Sequence, residues 1–231
     1  MTTLKFLRFQ TTIGHDEIFN CLQKAYYNER TYEGFSLESN YNQQIWGTFY
    51  NTITHAEKIL DPLGKEIDTF YIVIEKTEFI LDSKRKLLIL INPGRSLKHF
   101  FTVLGATLEF QISIEELRLD LLEFVKRLQL SRSEVVLLSI DIIGIPLSPY
   151  SIGKVSIAGD EDVMKYVSQF KGEKPGAKIK KVRLSIDSEG QQDKIDFLDS
   201  FTMRAGTLSK QRLLSIFTSD LEDYLFNDKP Y

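Results

Sequence analysis

Four aspartates fall in or at the ends of apolar segments: Asp82, Asp141, Asp187 and Asp196. Asp141 stands inside VVLLSIDIIG, and Asp187 takes the matching place in LSIDSEG, a short echo of LSIDIIG. A carboxylate among so many apolar neighbours pairs with a cation, faces solvent or does chemistry. Two or three brought together could hold Mg²⁺ for phosphodiester cleavage. The carboxylate–lysine nuclease pattern wants an acid followed by E-x-K on the next strand. Glu75-Lys76 lacks the intervening residue, which sends its two side chains to opposite faces.

Other chemistry is sparse. His15, His55, His99 and Cys21 share no metal-ligand spacing. Gly64-Lys65 and Gly153-Lys154 lack the Ser or Thr and the upstream glycine of a phosphate-binding loop. The segment NPGRS, with Arg95, could present amides to an anion at a helix start, although it also serves as a plain strand-to-helix turn. No catalytic, metal or cofactor signature survives, so function is sought in surfaces.

The strongest surface signal is KGEKPGAKIKKVRLSID, residues 171–187. Period-two alternation sends Val182, Leu184 and Ile186 to one face and Lys181, Arg183, Ser185 and Asp187 to the other. In the following strand, Ile195, Phe197, Phe201 and Met203 form the apolar set. A tight turn at SEGQQ predicts Asp187 opposite Lys194, Ser185 opposite Asp196, Arg183 opposite Leu198 and Lys181 opposite Ser200. The wet face then carries Lys181, Arg183 and Arg204 beside Lys171, Lys174 and Lys178, a set that could neutralise nucleic-acid phosphates. The same residues also suit a solvated sheet edge protected by lysines.

A second surface is aromatic. Trp46, Tyr50 and Tyr41 head a cluster in the first quarter of the chain, as expected of a protein-binding site. A core packed on the first helix would use the same residue types.

These groups need elements to hold them. Alternation predicts strands over 3–12 and 44–53, with DPLG at 61–64 as a turn. Residues 69–92 give the clearest β signal, with 79–81 and 87–91 forming a hairpin about DSKR. Helices are predicted over 15–28, 96–106, 114–129, 160–169 and 207–226; the third is placed by a capping box of Ser113 and Glu116. The stretch 31–42 and GIPLSPYSIG read as irregular, and 135–143 as a strand.

The expected architecture is α+β: one domain over 1–231, weakly subdivided near 130, with a largely antiparallel sheet and helices packed mainly on one face. At 231 residues it needs no disulfide staples, and its one cysteine fits a reducing compartment. Its net charge of −3 confines any attraction to nucleic acid to a local patch. The start of the chain does not read as a signal peptide, and its apolar runs are too short for a membrane span. The chain therefore reads as a cytoplasmic, non-enzymatic nucleic-acid-binding or assembly subunit without cofactor. A second reading is a protein-interaction module using the aromatic surface; a third is a metal-dependent nuclease or phosphodiesterase built on Asp141 and Asp187.

Overall fold

Alternating apolar residues govern far more of this chain than helical periodicity does. The computed structural model describes every residue except 29, 61, 133, 149, 172–176, 189–190, 207, 209–210, 215–223 and 225–231, and the side chains of 147, 168–171, 188 and 191. The elements are β1 (Thr2–Thr11), α1 (His15–Lys24), β2 (Glu33–Tyr41), β3 (Gln44–Leu60), β4 (Glu66–Asp82), β5 (Leu87–Ile91), α2 (Lys98–Thr107), β6 (Ile112–Glu116), α3 (Leu121–Ser131), β7 (Val135–Ser148), β8 (Ser151–Ala158), α4 (Met164–Lys171), β9 (Lys178–Ser188), β10 (Gln191–Leu198) and β11 (Thr202–Ala205).

With 55% strand against 21% helix, the fold is a β-rich antiparallel one, which corrects the expected α+β sheet with helices layered on one face. Three local misreadings account for the difference. The stretch around 31–42 forms β2, and the supposed loop after Ile143 continues β7 into a hairpin with β8. Residues 112–116 form β6 rather than the start of a helix. The helix begins later, where Asp120 Oδ1 accepts from the amides of Leu122 and Glu123 at 3.0 and 3.1 Å. Asp120→Ala should therefore lower stability by about 1 kcal/mol, measured by urea unfolding. The helix expected over 207–226 lies mostly outside the described residues, of which 211–214 are helical.

The chain divides into two compact units, Met1–Leu7 with Glu116–Tyr231, and Arg8–Glu115. In the first, the strand order is β1-β11-β10-β9-β7-β8. Val182, Leu184, Ile186, Ile195, Phe197 and Met203 are buried there, and Phe124 of α3 packs on Phe197 with ring centroids 5.2 Å apart. Asp193, buried on β10, lies 3.6 Å from Arg212 and so ties the 211–214 helix to the sheet.

In the second unit the order is β2-β3-β4-β5-β1, with β6 also on β1. Phe35, Phe49, Phe79 and Phe100 form its aromatic centre, with neighbouring centroids 5.2–5.9 Å apart. Gly34, at φ 147°, lets β2 approach the chain at Tyr26–Tyr27; a Cβ there would lie 2.5 Å from the Tyr27 amide nitrogen. The hairpin over 79–91 forms as expected, closed by Asp82 opposite Leu87. Buried Asp82 organises its turn, accepting from the Arg85 amide and guanidinium and from Gln44 at 2.7–2.9 Å. Among the described residues, no helix is long and apolar enough to cross a membrane.

Candidate functional site: a charge ladder and a bare ribbon

On the first unit, the side chains opposite the apolar set of β9 and β10 form a ladder of alternating charge. The observed register pairs Arg183 with Asp196, Lys194 with Ser185 and Leu198 with Lys181. It differs from the expected one by two residues. A two-residue slip keeps every side chain on its face, so apolar alternation cannot choose between the registers. The observed one exchanges the expected Asp187–Lys194 pair for Arg183 across from Asp196, and it ends β10 at Leu198. A turn carrying Phe201 at φ 53° then separates β11, where Ile195, Phe197, Phe201 and Met203 were expected on one strand.

Asp196 is the node of this ladder. Its carboxylate receives Arg183 Nε at 2.6 Å and Nη2 at 3.1 Å, and Lys181 Nζ at 2.6 Å. Arg204 lies across from it on β11. Burial pushes this carboxyl up, but the hydrogen bonds and charges of Arg183 and Lys181 outweigh that and hold it below the usual range. The same contact raises the Arg183 guanidinium. Asp141 on β7 is the second node. It accepts from Ser156 at 2.7 Å and pairs with Lys154 at 3.1 Å, and it lies opposite Lys181. The Ser156 hydrogen bond is the largest influence lowering its pKa, against the opposing effect of burial.

The structure thus brings Lys181, Arg183 and Arg204 onto one face, but interleaves them with carboxylates. Lys180 is likewise paired, with Asp199 at 2.7 Å. Lys178 is exposed and lines a separate cleft of about 280 Å³ with Arg118, Asp120, Ile142 and Asp199. Both acids there are engaged, Asp120 as a helix cap and Asp199 with Lys180. Lys174 and the Lys171 side chain lie outside the described residues.

Asp141 and Asp187 do not come together. Lys181 faces Asp141, and Asp187 lies six residues further along β9, roughly 20 Å away at strand rise. Among the described residues, no group of three His, Cys, Asp or Glu side chains could hold a metal ion.

The second unit presents a different surface. β3 and β4 are each 17 residues long and pair from Gln44–Asp82 out to Leu60–Glu66. The pairing with β2 ends at Asn51 and that with β5 at Glu78, so from Ile53 outward the two strands form a ribbon flanked by neither. Thr52, Thr54, Ala56, Lys58 and Leu60 share one face with Glu66, Asp68, Phe70, Ile72, Ile74 and Lys76. On it Phe70, Ile72 and Ile74 are 68%, 66% and 58% exposed. The other face carries Ile59, Ile67, Val73 and a stacked His55–Tyr71 pair, centroids 5.2 Å apart.

Trp46 and Tyr50 lie on β3 in the same alternation as the Phe70 face, and Tyr50 stands opposite Lys76. Both are half-buried, Tyr50 against the Tyr27 ring at 5.5 Å. Tyr41 is 73% exposed at the end of β2. Sequence reading placed Phe70–Ile74 on a strand but missed that the strand stands bare. The available signal was the symmetry of two long β-prone runs about DPLG, which marks one continuous hairpin. The sequence matches no protein-family model and no curated protein.

Proposed function

We propose that this chain is a non-enzymatic assembly subunit that docks on protein through the ribbon of β3 and β4. The observation that carries the reading is the exposure of Phe70, Ile72 and Ile74 on a strand whose sequence is written for burial. TFYIVI at 69–74 is apolar or β-branched on both faces, the pattern of a strand covered on both sides. A two-stranded ribbon is at best marginal in water, and an exposed apolar patch of this kind marks an interaction site. Trp46 and Tyr50 extend the same face towards the body of the unit, which joins the aromatic surface to the ribbon. The hairpin of β9 and β10 is the weaker docking candidate, because carboxylates already engage Lys180, Lys181 and Arg183. The protein is placed in the cytoplasm on this reading, where its one cysteine stays reduced.

Hydrogen exchange tests the reading. In dilute monomer, the cross-strand-bonded amides of 53–60 and 66–76 should exchange rapidly as the bare ribbon opens, and in the assembled state, with opening suppressed, they should become protected. Full protection in the dilute monomer would mean that the chain covers its own ribbon, and the reading would fall.

A further inference from the structure

We infer that the partner of the ribbon is a second copy of this chain, packed face to face about a two-fold axis at Ile72. The inference rests on the assembly reading above and deepens it. The Phe70 face of β4 is self-complementary about Ile72. Two residues to either side stand Phe70 and Ile74, both apolar and exposed; four to either side stand Asp68 and Lys76, of opposite charge. A two-fold axis lying between the two copies, parallel to the plane of the ribbon and perpendicular to its strands, lays β4 antiparallel on β4 of the second copy. Ile72 then meets its own equivalent, Phe70 meets Ile74 twice, and Asp68 meets Lys76 twice.

The partner strand obeys the same operation. Thr54 lies opposite Ile72 in the observed register, so the axis passes between these residues. Ala56 then falls at the level of Thr52 and Lys58 at that of Tyr50, where Tyr27 of the same chain already contacts Thr52 and Tyr50, and Lys58 keeps its pairing with Glu66 at 2.9 Å, so the β4 row carries the complementarity. A closed two-fold interface requires that residue i meet j while j meets i, and the β4 row of this face satisfies that with complementary pairs. Displacing the register by two residues in either direction sets Asp68 or Lys76 against an apolar side chain, so the charges select one alignment. The opposite face has no such symmetry: about Val73, Tyr71 would meet Glu75 and Thr69 would meet Thr77.

The size of the face sets the strength. Asp68 to Lys76 spans about 27 Å of strand in a ribbon roughly 10 Å wide, smaller than the ~800 Å² per partner of a standard interface. The dimer is therefore weak, reversible and concentration-dependent.

Sedimentation velocity on the full chain from about 1 to 300 µM reads it directly. Its mass should move from 26.7 kDa towards twice that value. Asp68→Lys sets lysine against Lys76 at both contacts, and Lys76→Asp sets aspartate against Asp68; each should weaken self-association at least tenfold. An equimolar mixture of the two variants restores both opposite-charge contacts and should dimerise about as well as the unaltered chain. Both positions are exposed, but Asp68 also stands opposite Lys58 within its own ribbon, so hydrogen exchange on each variant checks that the ribbon persists. A chain that stays monomeric across the range, a dimer indifferent to the single reversals, or a mixture that fails to recover would each overturn the inference. If the monomer also shows a rapidly exchanging ribbon, the second copy is excluded while docking on a different protein stands. A protected ribbon in dilute monomer removes both.

Discussion

Phe79→Ala is expected to destabilise the chain by about 3–5 kcal/mol. The Phe79 side chain is 1% exposed and meets the Phe35 and Phe100 rings at 5.9 and 5.7 Å, so it joins β2, β4 and α2. Its removal forfeits the burial of a large ring and leaves a cavity that neighbouring rings cannot all collapse into. A second observation makes the prediction sharper. Gly47, beside Phe79 on β3, has room for no side chain: a Cβ would lie 3.0 Å from Phe79 Cζ, Leu37 Cδ2 and the Ser36 carbonyl oxygen. Gly47→Ala alone should cost about 1–3 kcal/mol through overpacking. In the Phe79→Ala background, one of those three clashes is gone and the new methyl enters the cavity. The double variant should then be more stable than the sum of the single losses, by about 1 kcal/mol. Urea unfolding of the four proteins measures this; strict additivity would show that the ring and the glycine do not share one packing site.

The same packing shows what a sequence can and cannot specify. The buried face of the β9–β10 hairpin was legible because Val182, Leu184 and Ile186 alternate cleanly, and burial follows from alternation. Its register was not, because a slip of two residues leaves that face intact and each choice offers one opposite-charge pair: Asp187 with Lys194 in the expected register, Arg183 with Asp196 in the observed one. The segment ISIEELRLD carried both a capping-box spacing and a period-two alternation. The strand prevailed because it pairs with β1, a long-range partner that local spacing does not reveal, and Asp120 was left to cap the helix. The ribbon was least legible of all. Phe70, Ile72 and Ile74 have the composition of an interior strand, and a composition built for burial does not state which molecule supplies the cover.

Replacing the two nodes of the charge ladder should convert a neutralised surface into a phosphate-binding one. In the unaltered chain, Lys154, Lys181 and Arg183 each bond to Asp141 or Asp196, with Arg204 across from Asp196. Phosphates would have to compete with carboxylates already held at 2.6–3.1 Å. The expectation is no binding of single-stranded DNA, duplex DNA or RNA by fluorescence anisotropy at about 0.15 M salt. Asp141→Asn/Asp196→Asn removes two negative charges and keeps the shapes of the side chains. Four cations then face solvent on β8, β9 and β11, each of these strands separated from the next by one other, and if all four reach phosphates, the log of the duplex affinity should fall with log salt at a slope of roughly −3 to −4. The same substitutions have a sign-determined effect on stability. Both carboxyls are held below their usual pKa, so their contribution is present above the unfolded value near 4 and is lost as pH falls through the lowered folded values. The double variant should be less stable at neutral pH, by about 2 kcal/mol for the Asp196 contacts, and should lose less on acidification below pH ~4. Salt-sensitive binding by the unaltered chain, abolished in Lys181→Glu/Arg183→Glu, would instead mean that phosphate outcompetes Asp196 for these cations. The ladder would then be a gate that nucleic acid opens rather than a neutral face.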